Sequence, residues 1–227
     1  FADRTRQRPM PTPVPVAKEG KAPWVQNRQK EREPAYHTER QRQYCAASEL
    51  IDHWVGQLLE TLEKRGLADN TYVIFTSDHG EMLGDLGMYT KSVAYEAAWR
   101  VPLLVRGPGI PAGTVSEALI ELNDLNPTIT ELAGLPPQAG LDAKSCAPVW
   151  RGQATEHRDN SICRLSNFTA IRTRTHKLIT NVNGPDELYD LVTDPGEQVN
   201  CRATDPDTAQ DLRRRLAQRI KGETVHY

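Results

Sequence analysis

Tyr44, Ala47, Ile51, Trp54, Val55, Leu58 and Leu62 recur at the spacing of one helical face, which predicts an amphipathic helix beginning near residue 38. Thr38 and Gln41 have capping-box spacing, in which each side chain satisfies an orphaned backbone donor. Gly66 supplies the stop. Polar positions then vanish: Tyr72, Val73, Ile74 and Phe75 are consecutive, which predicts a strand from Thr71 to Thr76 buried on both faces. Val101 to Val105 reads the same way, with Pro102 near its beginning, where a missing N–H is tolerable, and Gly107-Pro108-Gly109 as its end. Another helix is expected near Asp124, with Pro127 in its first turn and Leu125, Ile129, Leu132 and Ala133 inward. Gly134 and Pro136-Pro137 close it.

From about residue 156 the pattern changes. Ser161–Leu165, Thr169–Thr173 and Lys177–Asn181 read as short strands separated by polar turns, which predicts a small antiparallel sheet. Asp205-Pro206 then caps a last helix with Ala209, Leu212, Leu216 and Ile220 on its inner face. Pro9, Pro11, Pro13 and Pro15 alternate at the other end, so residues 1–36 are expected to be an extended, surface-wrapping segment rich in Pro, Arg and Lys. The expected organisation is α/β: an extended segment 1–36, an α/β unit 37–155 and a small α+β unit 156–227.

Composition narrows the function classes. With 38% hydrophobic and 26% charged residues among 227, the chain is an ordinary globular sequence. A net charge of -2 gives no field that favours nucleic acid or an anionic membrane. No apolar run approaches the roughly 18 to 20 residues of a membrane-spanning helix. Cys45, Cys146, Cys163 and Cys201 show no C-x-x-C spacing, which argues against a structural zinc site and a redox motif. Buried free thiols and a disulfide between two of them both fit. Phe1-Ala2-Asp3-Arg4 shows no initiator Met and no signal pattern, so the compartment is not legible there.

The stretch that carries chemistry is Phe75-Thr76-Ser77-Asp78-His79-Gly80-Glu81. Ligands of open α/β sheets gather at the carboxyl ends of strands, and here an Asp-His pair directly follows one. A carboxylate oxygen and an imidazole nitrogen are both competent donors to a divalent cation, and Gly80 is expected to let the chain turn behind them. Two donors do not complete a hydrolytic metal site. The bland reading has Asp78 opening a turn and His79 as a satisfied surface residue.

Context weighs against the bland reading. Phe75 to Asp85, Lys91, Tyr95-Glu96 and Arg100 to Val105 together resemble the sulfatase family of the alkaline-phosphatase superfamily, of which phosphonate monoesterases are close relatives. Tyr44 and Asp52, Asn126-Pro127-Thr128, Leu132-Ala133-Gly134, Arg172 to Leu178, Glu187 to Leu191 and Asp194-Pro195-Gly196-Glu197 continue the likeness over nearly all the chain after residue 36. The resemblance implies part of an alkaline-phosphatase-like sandwich with a small antiparallel carboxyl-terminal subdomain and a terminal helix. It implies that Asp78 and His79 bind a divalent cation, usually Ca2+, with Mn2+ or Zn2+ among the phosphonate-cleaving relatives. Lys91 would contact the sulfate or the leaving oxygen, because an ammonium can neutralise charge developing there.

Two departures qualify it. Family members often carry His where Leu86 stands. The family nucleophile, a Cys or Ser in C/S-x-P-x-R converted to formylglycine, has no counterpart: Cys146-Ala147-Pro148-Val149-Trp150 comes nearest but puts Trp150 where Arg is needed. The chain is therefore expected to be the trailing portion of a longer polypeptide, partnered by an amino-terminal portion and inactive alone. The intact protein would act on a small-molecule or saccharide sulfate ester, and oligomers are compatible with this. Two other functions stay open, a phosphonate monoesterase or phosphodiesterase and a non-catalytic binding or assembly module. Glu96, His53, His157, His176 and the run Arg213-Arg214-Arg215 are secondary candidates with plain structural readings.

Overall fold

A computed structural model describes the chain except Gln7, Pro137, Ala139, Leu141 and residues 223–227. Pro137, one of the expected helix-closing prolines, and the last five residues of the expected 156–227 unit thus lie outside the described residues. The helices are α1 (Ala2–Thr5), α2 (Pro23–Gln26), α3 (Pro34–Lys64), α4 (Glu96–Trp99), α5 (Leu125–Leu132), α6 (Ala147–Trp150) and α7 (Pro206–Gly222). The strands are β1 (Val73–Thr76), β2 (Leu103–Arg106), β3 (Ser161–Leu165), β4 (Phe168–Arg172), β5 (His176–Asn181) and β6 (Glu187–Asp190).

β3 to β6 form an antiparallel meander in sequence order, which short polar turns permit. Alternation along its strands feeds two cores. Ile171 and Leu178 join Leu188 beneath Ala209, Leu212 and Leu216 of α7, as the period of that helix predicts. Phe168, Ala170, Ile179 and Tyr189 face the other way, against Met82, Leu86, Met88, Tyr95 and Ala98 and against Ala22 and Val25 of the amino-terminal segment. No strand was expected at 187–190, which stood in the sequence only within a motif, and the structure pairs it with β5 as β6.

Several expectations are corrected. Within residues 1–36, α1 and α2 are short helices, and Lys21, Ala22 and Val25 are fully buried, a packing that the proline pattern did not show. α3 starts four residues before Thr38, with Pro34 at its first position. Thr38 Oγ1 instead donates to Pro34 O at 3.0 Å within the helix, so there is no capping box. The end is as expected: Gly66 at φ 65° donates to Glu63 O and Leu67 N–H donates to Leu62 O, a Schellman closure. The periodic face of α3 is largely open to solvent, with Tyr44, Ile51, Trp54 and Leu58 all exposed. β1 is not buried on both faces. Among the described residues it pairs antiparallel with β2 alone, Val73 opposite Arg106, and Phe75 and Leu104 are exposed. At α5 the buried positions are Thr128 and the preceding Asp124, while Ile129 and the following Ala133 are exposed. The buried Asp124 carboxylate ties this helix to Arg158 and His157, and those bonds replace the apolar packing that the periodicity suggested. All four cysteines are free thiols.

Candidate functional site

β1 delivers Ser77, Asp78 and His79 at its carboxyl end. Asp78 Oδ2 lies 3.4 Å from His79 Nε2, and Asp78 Oδ1 accepts the His79 N–H at 3.0 Å. Ser77 Oγ donates to His79 O at 2.8 Å. His79 Nδ1 lies 2.8 Å from Gly80 O, and a carbonyl can only accept, so Nδ1 carries the proton. In the neutral ring Nε2 then keeps its lone pair, aimed at the same space as the carboxylate. Burial works to raise the Asp78 pKa, but the His79 N–H, the neighbouring imidazole and Ser77 hold it below the ordinary carboxylate range.

These atoms suit a cation. Donors about 2.1 to 2.4 Å from one ion at near-right angles stand roughly 3 Å apart, close to the separation of Oδ2 and Nε2. The backbone carbonyl on Nδ1 is the kind of outer contact that fixes a metal-binding tautomer. Among the described residues no group of three or more His, Cys, Asp or Glu side chains could hold a metal, and Asp78 with His79 makes only a pair.

Asp78, His79 and Lys91 line one open cleft of about 1760 Å³, together with Glu96, Arg172 and Arg174. Glu96 is no free base. Arg172 grips both its oxygens at 2.9 and 3.2 Å and Lys177 Nζ approaches at 2.7 Å. Burial tends to raise the Glu96 pKa, but Lys177 and Arg172 outweigh it, and the carboxyl is held below its usual range. Lys177 also donates to Glu197 Oε1 at 2.8 Å and Ala94 O at 2.9 Å, so the sheet grips the segment that carries the cleft wall. Of these groups, Arg172 and Glu197 appeared in the sequence only inside motifs, and nothing marked them as partners. Gly80 is required for a reason other than a turn: its N–H donates to Ala98 O at 2.8 Å, and a Cβ there would lie 2.0 Å from Ala97 O.

Other candidates resolve as structure. Leu86 is buried in the core at φ 53°, with its N–H on Val14 O. Cys146 is fully buried, 3.1 Å from Thr128 Oγ1, and burial pushes its thiol up despite that contact, so it is no nucleophile. His157 binds Asp124, His53 pairs with Gln57 and His176 with Thr175. Asp211 pairs with Arg214 and Arg215 on α7. Among the described residues no helix is long and apolar enough to cross a membrane.

A family model described as sulfatase matches residues 13–135, and one described as the carboxyl-terminal region of N-sulphoglucosamine sulphohydrolase matches residues 84–225. An N-acetylglucosamine-6-O-sulfatase of Bacteroides thetaiotaomicron is 36% identical over 177 residues, covering 70% of this chain and 31% of that protein. A solved structure in complex with its substrate D-glucosamine-2-N,6-O-disulfate superposes with TM-score 0.77 at 28% identity, over 90% of this chain and 43% of that one. The phosphonate monoester hydrolase of Agrobacterium radiobacter gives TM-score 0.69 at 28% identity, over 75% of this chain and 39% of that one. The chain spans about a third of the length of the curated relatives it matches.

Proposed function

The chain belongs to the sulfatase family, and we propose that it is the carboxyl-terminal part of a hydrolase that cleaves sulfate esters. Asp78 and His79 serve as ligands of a divalent cation, calcium in the first instance, with manganese or zinc as alternatives. Lys91 meets the sulfate or the departing oxygen. The observation that carries this reading is the 3.4 Å approach of Asp78 Oδ2 to His79 Nε2 at the tip of β1, on a cleft that Lys91 also lines.

When bound, the cation supplies fixed positive charge to the sulfate oxygens. The chain's own residues do the rest of the positioning. Asp78 stays ionised because the backbone N–H of His79 and the Ser77 hydroxyl favour its charged form. Gly80 O holds the His79 ring in one tautomer and one orientation. The Lys91 ammonium neutralises charge growing on the oxygen that leaves. The nucleophile, a formylglycine from a C/S-x-P-x-R segment, is supplied by an amino-terminal portion of the same protein, and this chain alone turns nothing over.

The test is to produce the chain joined to that portion and to assay an aryl sulfate. Turnover that vanishes with Asp78→Ala supports the reading, and turnover indifferent to it removes the metal role. The likeness to a phosphonate monoester hydrolase favours a second reading, cleavage of phosphonate or phosphate esters by the same groups. Parallel kcat/KM values on aryl sulfate and aryl phosphonate separate the two, and activity on neither leaves a binding module.

A further inference from the structure

Lys91 sits in an exposed loop whose backbone is strained on both sides. Thr90 has φ 69° and Ser92 φ 71°, and neither is glycine. A β-branched residue at positive φ is disfavoured because its γ atoms crowd the backbone, and such residues persist only where surrounding contacts overdetermine them. Contacts from two directions do so here. On one side Glu81 Oε1 accepts the N–H groups of Leu83 and Thr90, and Met82 N–H donates to Thr90 O at 3.0 Å. On the other side Arg28 Nη2 donates to Lys91 O at 2.6 Å and Nη1 donates to Ser92 O at 3.0 Å. Nη2 also lies 3.5 Å from Thr90 Oγ1.

Arg28 reaches across from the amino-terminal segment, and its own position is fixed. Val25 is buried, Gln29 Nε2 donates to Ala17 O at 3.0 Å, and Lys30 N–H donates to Gly87 O at 2.9 Å. A planar guanidinium suits two consecutive carbonyls, because its donors diverge at fixed angles, whereas a lysine ammonium offers a single point charge.

We propose that Arg28 is the positioning residue for Lys91, a guanidinium clamp that holds the strained loop in the shape that places Lys91 on the cleft wall. Its bearing on catalysis rests on the site reading of Lys91, but the clamp itself does not. The test is digestion of the 227-residue chain and its R28Q and R28K variants with a protease that cuts after lysine, with each cut identified by mass. Cleavage at Lys91–Ser92 should rise about tenfold in R28Q, with R28K intermediate, because cutting follows the opening of the loop. The bond after the buried Lys177 is the internal reference. No rise at Lys91, or equal rises at both bonds, would overturn the clamp, the latter by making Arg28 a general stability residue. In the complete protein assayed on aryl sulfate, R28Q should lower kcat about tenfold with KM little changed, and R28K should recover part of it. A loosened loop with undiminished turnover leaves the clamp standing and removes Lys91 from the chemistry.

Discussion

His79 turns its Nε2 toward Asp78 Oδ2 at 3.4 Å while its Nδ1 donates to the carbonyl of the next residue. In the neutral ring two lone pairs then face each other across that gap, an arrangement that a cation between them would relieve. The Asp78 side chain is 84% exposed, so it adds little to the stability of the fold. Asp78→Ala should therefore leave the thermal midpoint of the chain within about 2 °C, since surface changes fall within roughly 0.5 kcal/mol. In the complete protein, kcat/KM on an aryl sulfate should fall by about a thousandfold or more, and excess chelator should produce the same loss in the unmodified enzyme. Thermal scans and steady-state rates check both halves.

Gly80 links that pair to α4. Its N–H donates to Ala98 O, and the Ala97 carbonyl occupies the place a Cβ would need. Gly80→Ala must push α4 or the Asp78-His79 turn aside, because neither obstacle is a flexible side-chain end. The expected cost is about 2 kcal/mol of overpacking strain, together with a shift of the carbonyl that orients His79. Urea denaturation measures the first, and the His79 ring proton shifts in NMR report the second.

How much of this was legible follows from where the partners lie in the chain. Asp78 and His79 are adjacent, and their strand announces them, so the sequence sufficed to bring them together. The α7 face was legible for a similar reason: Ala209, Leu212 and Leu216 are buried against a sheet that the same region encodes. The α3 face had an equally regular period, yet Trp54 and Leu58 are exposed, because periodicity reports an amphipathic helix and not what covers it. Arg28 was illegible, since an arginine in a Pro-rich stretch carries no mark of two carbonyls 63 and 64 residues onward. Glu197 stood in a noticed motif, but its bond to Lys177 depends on how β5 and the following loop pack.

Lys177 is the point at which the small sheet holds the cleft wall. Its side chain is fully buried and bonded to Glu96, Glu197 and Ala94 O. Lys177→Met would keep much of the stem's packing and strand the Glu197 carboxylate, while Glu96 keeps Arg172. Leaving a buried charge uncompensated costs about 3 to 5 kcal/mol. Chemical denaturation should show a loss in that range, and Glu197→Gln in the Lys177→Met background should restore part of it. Additive losses in the double variant would mean that the two side chains act independently.

Lys21 gives the protein a pH response of unusual sign. It is fully buried, and Nζ donates to Tyr189 Oη at 2.6 Å and Glu197 O at 2.8 Å beneath the Tyr95 and Tyr189 rings. Burial lowers its pKa to about 8, although Glu187 and Glu197 pull the other way. Two acceptors match the two N–H donors of a neutral amine. Between pH 8 and about 10.5 the unfolded chain holds the Lys21 proton while the folded one has released it, so this group's contribution to stability rises with pH. From pH 7.5 to 9.5 the gain is about 2 kcal/mol. The thiols of Cys146, Cys163 and Cys201, raised chiefly by burial, ionise first in the unfolded chain and act in the opposite direction. Tyr95 and Tyr189, also raised, do so above about pH 10. The readout is accordingly a difference, urea stability at pH 9.5 minus that at pH 7.5, compared between the wild type and Lys21→Met. That difference should be about 2 kcal/mol less positive in the variant, and an equal difference in both would mean that Lys21 stays charged in the fold throughout.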